Sequence, residues 1–276
     1  MSDTPSNRRP RLERFYFGTN FKMHQTPEET RQFVLDLSAA LDVGDAAQLF
    51  IIPPHTSLYR LPELADPANI WVGAQNMHWA DEGAFTGEIS PRMLRAIGVK
   101  LIMLGHAERR QVFGETDVAL HKKVEAAGRF GLRTLLCVGE TADEKRYGIA
   151  REVVARQMKV ALHGFDPAGL QRLMIAYEPV WSIGEGGIPA TVPDVVYTVE
   201  QIRATLIELF GAAGDRVPVL YGGSVNRENC GPYAAIDLID GVFVGRAAWK
   251  VGGFVEVFKT AYEAWLGSSR PAAGAD

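Results

Sequence analysis

Five short segments carry the residues able to do chemistry. Asn20-Phe21-Lys22 closes one apolar run, and Gly105-His106-Ala107-Glu108 closes another. Tyr177-Glu178-Pro179-Val180-Trp181 ends a third. Gly222-Gly223-Ser224 and Gly245-Arg246 end two more. The set holds a carboxylate, an imidazole, an ammonium and three glycine-bearing turns. A carboxylate or imidazole at such a position can move a proton, and glycine-rich turns before short helices suit an anion. Taken singly, each has an ordinary explanation: a solvated lysine, a hydrogen-bonded loop histidine, a strand-end glutamate, a tight turn. Their common register at the ends of apolar runs is what distinguishes them.

The elements that must position them follow from the pattern. Eight short apolar runs occur at 15–20, 48–52, 70–75, 101–106, 134–139, 173–178, 217–222 and 241–245. Each is rich in branched or aromatic residues, as buried parallel strands are. The stretches between them read as helices. T-P-E-E-T (26–30) offers an N-cap threonine, a first-turn proline and early acids, and T-V-P-D-V-V (191–196) repeats the device. The stretch 142–163 reads as one long amphipathic run. Eight strand–helix repeats predict an α/β fold, best closed as a (β/α)8 barrel. A doubly wound sheet is the alternative, but its glycine-rich turn is missing after the first strand, which reads G-T-N-F-K-M. In a barrel the strand ends meet on one face.

The chain has 276 residues, 47% hydrophobic and 22% charged, with a net charge of −4. That composition fits a globular enzyme and carries no basic footprint for nucleic acid. An anionic substrate needs a local positive site. Cys137 and Cys230 stand far apart, and Cys137 in T-L-L-C-V reads as a buried thiol. No His/Cys/carboxylate cluster at the strand ends implies a metal, and no organic cofactor is expected. The N-terminus has no apolar stretch of the signal-peptide kind, and no segment approaches a membrane span; the cytoplasm is the expected compartment. The expected organisation is a tail over 1–13, a barrel domain over 14–266 and a second tail over 267–276, both tails disordered.

The blocks G-T-N-F-K-M, G-A-Q-N, G-A-F-T-G-E-I-S, L-G-H-A-E-R-R, F-G-E-T-D, C-V-G-E-T, A-Y-E-P-V-W-S-I-G and Y-G-G-S-V-N closely resemble the triosephosphate isomerase family over roughly residues 15–265. The resemblance implies an isomerase that moves a carbonyl along a sugar phosphate through an enediol. It makes Glu178 the base and His106 the electrophile, helped by Lys22 and Asn20. It gives the phosphate to main-chain N–H groups of Gly184, Ser224, Gly245 and Arg246, with Glu108, Gly222 and Gly223 in support. It makes Pro179–Thr191 a lid. It also implies a homodimer in which the loop Gly83–Glu88 inserts beside the partner's site.

Four departures from the family pattern stand out. The lid W-S-I-G-E-G-G-I-P-A-T is one residue longer than the family's W-A-I-G-T-G-K-T-A-T. The eighth run ends V-G-R-A-A-W instead of V-G-G-A-S-L. G-A-Q-N is followed by M-H-W-A-D, and Ala107 replaces a serine that helps park the glutamate. The combination of G-A-Q-N-M-H-W-A-D, G-I-P-A and G-R-A-A-W resembles the branch that interconverts L-erythrulose 1-phosphate and D-erythrulose 4-phosphate in tetritol breakdown. The alternative is triosephosphate isomerase itself, acting in glycolysis and gluconeogenesis. The remote alternative is an inactive barrel that serves as a binding protein. The expected partner is thus a phosphorylated three- or four-carbon sugar.

Overall fold

The computed structural model describes residues 9, 11–65, 70–184 and 186–268. Eight strands run β1 (Phe15–Asn20), β2 (Ala47–Ile52), β3 (Ile70–Ala74), β4 (Leu101–Leu104), β5 (Arg133–Val138), β6 (Leu173–Tyr177), β7 (Val219–Tyr221) and β8 (Gly241–Val244). All neighbours are parallel, and β8 pairs with β1 to close the barrel in sequence order. The expected barrel is therefore the observed fold.

The helices described are α1 (Pro27–Ala40), α2 (Leu61–Leu64), α3 (Pro91–Ala96), α4 (Ala107–Gln111), α5 (Asp117–Arg129), α6 (Ala142–Arg146), α7 (Ala150–Ala161), α8 (Val192–Phe210), α9 (Cys230–Ala234) and α10 (Val251–Leu266). The predicted starts of α1 and α8 hold. Thr26 and Thr191 each complete a capping box, with Glu29 and Asp194 respectively. The expected single run 142–163 is instead two helices. Gly148 adopts φ 74°, a left-handed conformation that ends α6 and turns the chain into α7.

Two apolar clusters result. One fills the barrel: Phe50, Leu101, Met103, Leu135, Met174 and Phe243 are among its members, with Tyr16 and Trp71 packed against it. The other lies between the outer strand faces and the helices. Cys137 and Cys230 are buried free thiols. No described helix is long and apolar enough to cross a membrane. Most of both expected tails, 1–8, Pro10 and 269–276, lies outside the described residues.

Candidate active site

The strand ends converge as the register of the apolar runs requires. Glu178 follows β6 directly and is buried at 2% exposure. Its main-chain N–H donates to the Val138 carbonyl at 2.7 Å, which fixes it against β5. That approach needs a glycine beside it, since a Cβ on Gly139 would meet the Glu178 carbonyl oxygen at 1.9 Å. The carboxylate Oε2 accepts the Ala107 main-chain N–H at 3.1 Å. Its Oε1 stands 3.7 Å from His106 Nε2. Beneath it, burial first and the Glu178 charge second push the Cys137 thiol well above its ordinary range, so no second anion competes there.

His106 is the N-cap of α4, and its Nδ1 accepts the Glu108 main-chain N–H at 3.3 Å. An accepting Nδ1 carries no proton, so the ring proton of the neutral imidazole sits on Nε2, on the side facing Glu178. The imidazole is thereby arranged as a hydrogen-bond donor toward the carboxylate's side of the cleft.

Lys22 adopts φ 52°, an uncommon conformation for a side-chain-bearing residue. Local bonds hold it there. Its N–H donates to Asn20 Oδ1 at 2.8 Å, and Gln75 Nε2 donates to the Lys22 carbonyl at 2.7 Å. Gln75 Nε2 also reaches Asn20 Oδ1 at 3.2 Å. The Lys22 ammonium meets Glu108 Oε1 at 2.7 Å. Asn20, Lys22, His106 and Glu108 line one cleft of about 380 Å³, together with Gln75 and Met103. Glu178, Gly184, Ser224, Gly245 and Arg246 lie outside the lining of that cleft.

The segment after Glu178 is tied at both ends. Trp181 Nε1 donates to Glu140 Oε1 at 2.7 Å, and the Tyr177 hydroxyl donates to the same carboxylate at 3.1 Å. Lys145 Nζ sits 3.5 Å above the Trp181 ring, a cation–π contact. At the far end the Tyr233 hydroxyl donates to the Ala190 carbonyl at 2.6 Å. Gly184 and Gly186 between them have φ 88° and 83°. The Ser224 N–H, expected at the phosphate, here donates to Ser182 Oγ at 3.2 Å. Gly222 and Gly223 pack between these parts: a Cβ on Gly222 would stand 3.1 Å from Glu178 Cγ, and one on Gly223 would stand 2.2 Å from the Tyr221 hydroxyl.

Gly245 and Arg246 open a short 3-10 turn, Arg246–Ala248. Trp249, at its end, donates from Nε1 to the Asn20 carbonyl at 2.8 Å, packs its ring against His24 at a tilt with 4.3 Å between centroids, and accepts at its main-chain carbonyl from Gln25 Nε2 at 3.0 Å. The β8 turn is thus clasped to the loop that bears Asn20 and Lys22. Sequence reasoning did not assign functional roles to Gln75, Glu140, Ser182 or Trp249. Gln75 and Glu140 stood inside the matching blocks G-A-Q-N and C-V-G-E-T, and Trp249 was noted only as a departure. Among the described residues there is no group of three His, Cys, Asp or Glu able to hold a metal.

The family model described as triosephosphate isomerase matches residues 15–261. The chain belongs to the triosephosphate isomerase family. As a member of the triosephosphate isomerase family it is an isomerase. It is 44% identical over 249 residues to a protein named L-erythrulose-1-phosphate isomerase from Brucella abortus biovar 1 (strain 9-941), covering 89% of this chain and 96% of that one. It is 45% identical over 244 residues to one of the same name from Rhizobium etli, covering 88% and 90%. A protein named triosephosphate isomerase from Carboxydothermus hydrogenoformans is 43% identical over 245 residues, covering 88% and 97%. Overall identity therefore barely separates the two names among the relatives.

Proposed function

We propose that this isomerase interconverts L-erythrulose 1-phosphate and D-erythrulose 4-phosphate. The observation that carries the reading is the near full-length likeness to the Brucella and Rhizobium proteins of that name.

The chemistry follows from the site. The proton on the carbinol carbon beside a ketone is weakly acidic. It leaves for a carboxylate only if the developing enediolate oxygens meet preorganised donors. Glu178 takes that proton, and the resulting enediol is reprotonated on the former carbonyl carbon. The hydroxyl proton moves between the two oxygens, so the ketone shifts by one carbon and nothing is gained or lost. His106 Nε2–H and the Lys22 ammonium face the oxygens, with Asn20 beside them. The tetrulose differs from a triose by one hydroxymethyl group at the far end, and the proton transfer is the same.

The dianionic phosphate is held by N–H groups of Gly184, Ser224, Gly245 and Arg246. The Ser224 N–H must leave Ser182 Oγ to reach it. Residues Pro179–Thr191 act as the lid, closing to expel water and suppress loss of phosphate from the enediol. The enzyme works as a homodimer in the cytoplasm, in the breakdown of tetritols. Triosephosphate isomerisation in glycolysis is the second reading, favoured by the Carboxydothermus relative.

Incubation with L-erythrulose 1-phosphate in deuterium oxide, followed by NMR, tests the proposal. The expected product is D-erythrulose 4-phosphate carrying deuterium on its new carbinol carbon. An unchanged substrate, neither isomerised nor deuterated, contradicts it.

A further inference from the structure

The opposite end of the barrel holds a larger cavity, about 680 Å³, that the isomerase chemistry does not use. Its floor is the start of the odd strands: Tyr16 of β1, Trp71 of β3 and Arg133 of β5. The Arg133 guanidinium lies 4.3 Å from the centre of the Trp71 ring. Its Nε is buried with no hydrogen-bond partner, which is a costly state for a charged donor.

The cavity wall is strongly basic, and its arginines fall into two kinds. Arg9 pairs with Asp215 and Asp240, and Arg14 with Asp45, while Arg11 donates to the main-chain carbonyls of Trp265 and Leu266. Arg133, Arg172 and Arg216 have no carboxylate within salt-bridge distance among the described residues. The acids on the wall are Asp215, already engaged by Arg9, and the exposed Glu13. Arg172 is near enough for its charge to disfavour that of Arg133. Three arginines that no described carboxylate pairs thus line one concave surface, in a chain whose net charge is −4.

We propose that this cavity is a second binding site, for a compact anion bearing two or more negative charges of the phosphate-ester or pyrophosphate kind. Planar guanidinium groups recognise phosphate oxygens through paired hydrogen bonds. The volume falls within the range of about 300–1,000 Å³ that suits small molecules. The Trp71 face is already covered by Arg133, so the recognition is of charge and not of an aromatic base. The site is independent of the substrate assigned to the other end of the barrel.

Calorimetric titration of the full-length protein with pyrophosphate tests this. The comparison includes Lys22→Met, which removes the ammonium from the catalytic end, and Arg172→Gln/Arg216→Gln, whose two residues line the cavity and lie outside the core. The expected result is a class of binding that survives Lys22→Met and weakens with added salt. In the double arginine variant that class weakens by at least about tenfold, the loss of one charged hydrogen bond, while sugar-phosphate turnover is retained. If all pyrophosphate binding disappears in Lys22→Met, or the arginine variant binds as the native protein does, the second site does not exist.

Discussion

Glu178 rests on the main chain of Ala107: one carboxylate oxygen accepts that N–H at 3.1 Å while the other stands 3.7 Å from His106 Nε2. The family places a serine at position 107; here a main-chain N–H at that position holds the carboxylate, with the buried Cys137 thiol as a further hydrogen-bond partner. In the proposed mechanism this is a parked position, from which the carboxylate swings to the substrate.

Glu178→Asp follows from that geometry. Shortening the side chain by one methylene withdraws the carboxylate by about 1 Å, and such misplacement costs on the order of 10²-fold in rate. The expected outcome is a kcat lowered by about that factor, with a thermal melt close to the native one. Turnover near that of the native protein identifies a different base.

Ser182 makes a second, opposing contact. Its hydroxyl occupies the Ser224 N–H at 3.2 Å, a group the phosphate would use. Ser182→Ala removes the competitor. One neutral hydrogen bond contributes about 1 kcal/mol, so KM is expected to fall by roughly fivefold with kcat little changed. Steady-state kinetics on the sugar phosphate reads this, and an unchanged or raised KM rules the competition out.

The barrel and its site were unequally legible in the sequence. All eight strands could be read because strands buried on both faces are continuous apolar runs, and Asn20, Lys22, His106 and Glu178 stand where those runs stop. The tie on the segment after Glu178 was not legible as such. Glu140 is a strand-end acid like Glu178, and only the fold shows it beneath Trp181 and Tyr177. The Ala107 contact is made by a main-chain group and leaves no side-chain signature. Gly148 was overlooked because the apolar spacing of 142–163 continues across it, although its φ of 74° breaks the helix. The paired and unpaired arginines at the barrel floor could be separated only after distant segments had been brought together.

Glu140 also gives a pH dependence. Burial is the largest influence and raises its carboxyl above the ordinary value of 4.5, with Trp181, Tyr177 and Lys145 opposing in part. A carboxyl protonated more readily in the folded state contributes stability that is fully present below 4.5 and is lost as pH rises through the folded value. Glu140→Gln removes that loss. Its Tm relative to the native protein is expected to increase from below 4.5 up to neutral pH, as read by scanning calorimetry. A constant difference across that range contradicts the assignment.

Phe85, at the tip of Gly83–Glu88, is 45% exposed and packs against His78 at 4.2 Å. An exposed aromatic tip of this kind is better covered in an assembly. Light scattering at micromolar concentration is expected to give the mass of a dimer, and Phe85→Asp to shift it toward monomer. A native protein that remains monomeric removes the loop's proposed role.

The central claim concerns which sugar phosphate the site takes, and the ratio of kcat/KM values tests it most directly. A pocket shaped for an extra hydroxymethyl group holds a triose loosely, and a missing contact of that size is worth roughly 1–3 kcal/mol, or about 10–200-fold. The native protein is therefore expected to turn over L-erythrulose 1-phosphate at least about tenfold more efficiently than glyceraldehyde 3-phosphate. Efficient turnover of glyceraldehyde 3-phosphate with no activity on either erythrulose phosphate would contradict the account and leave a triosephosphate isomerase with a variant lid.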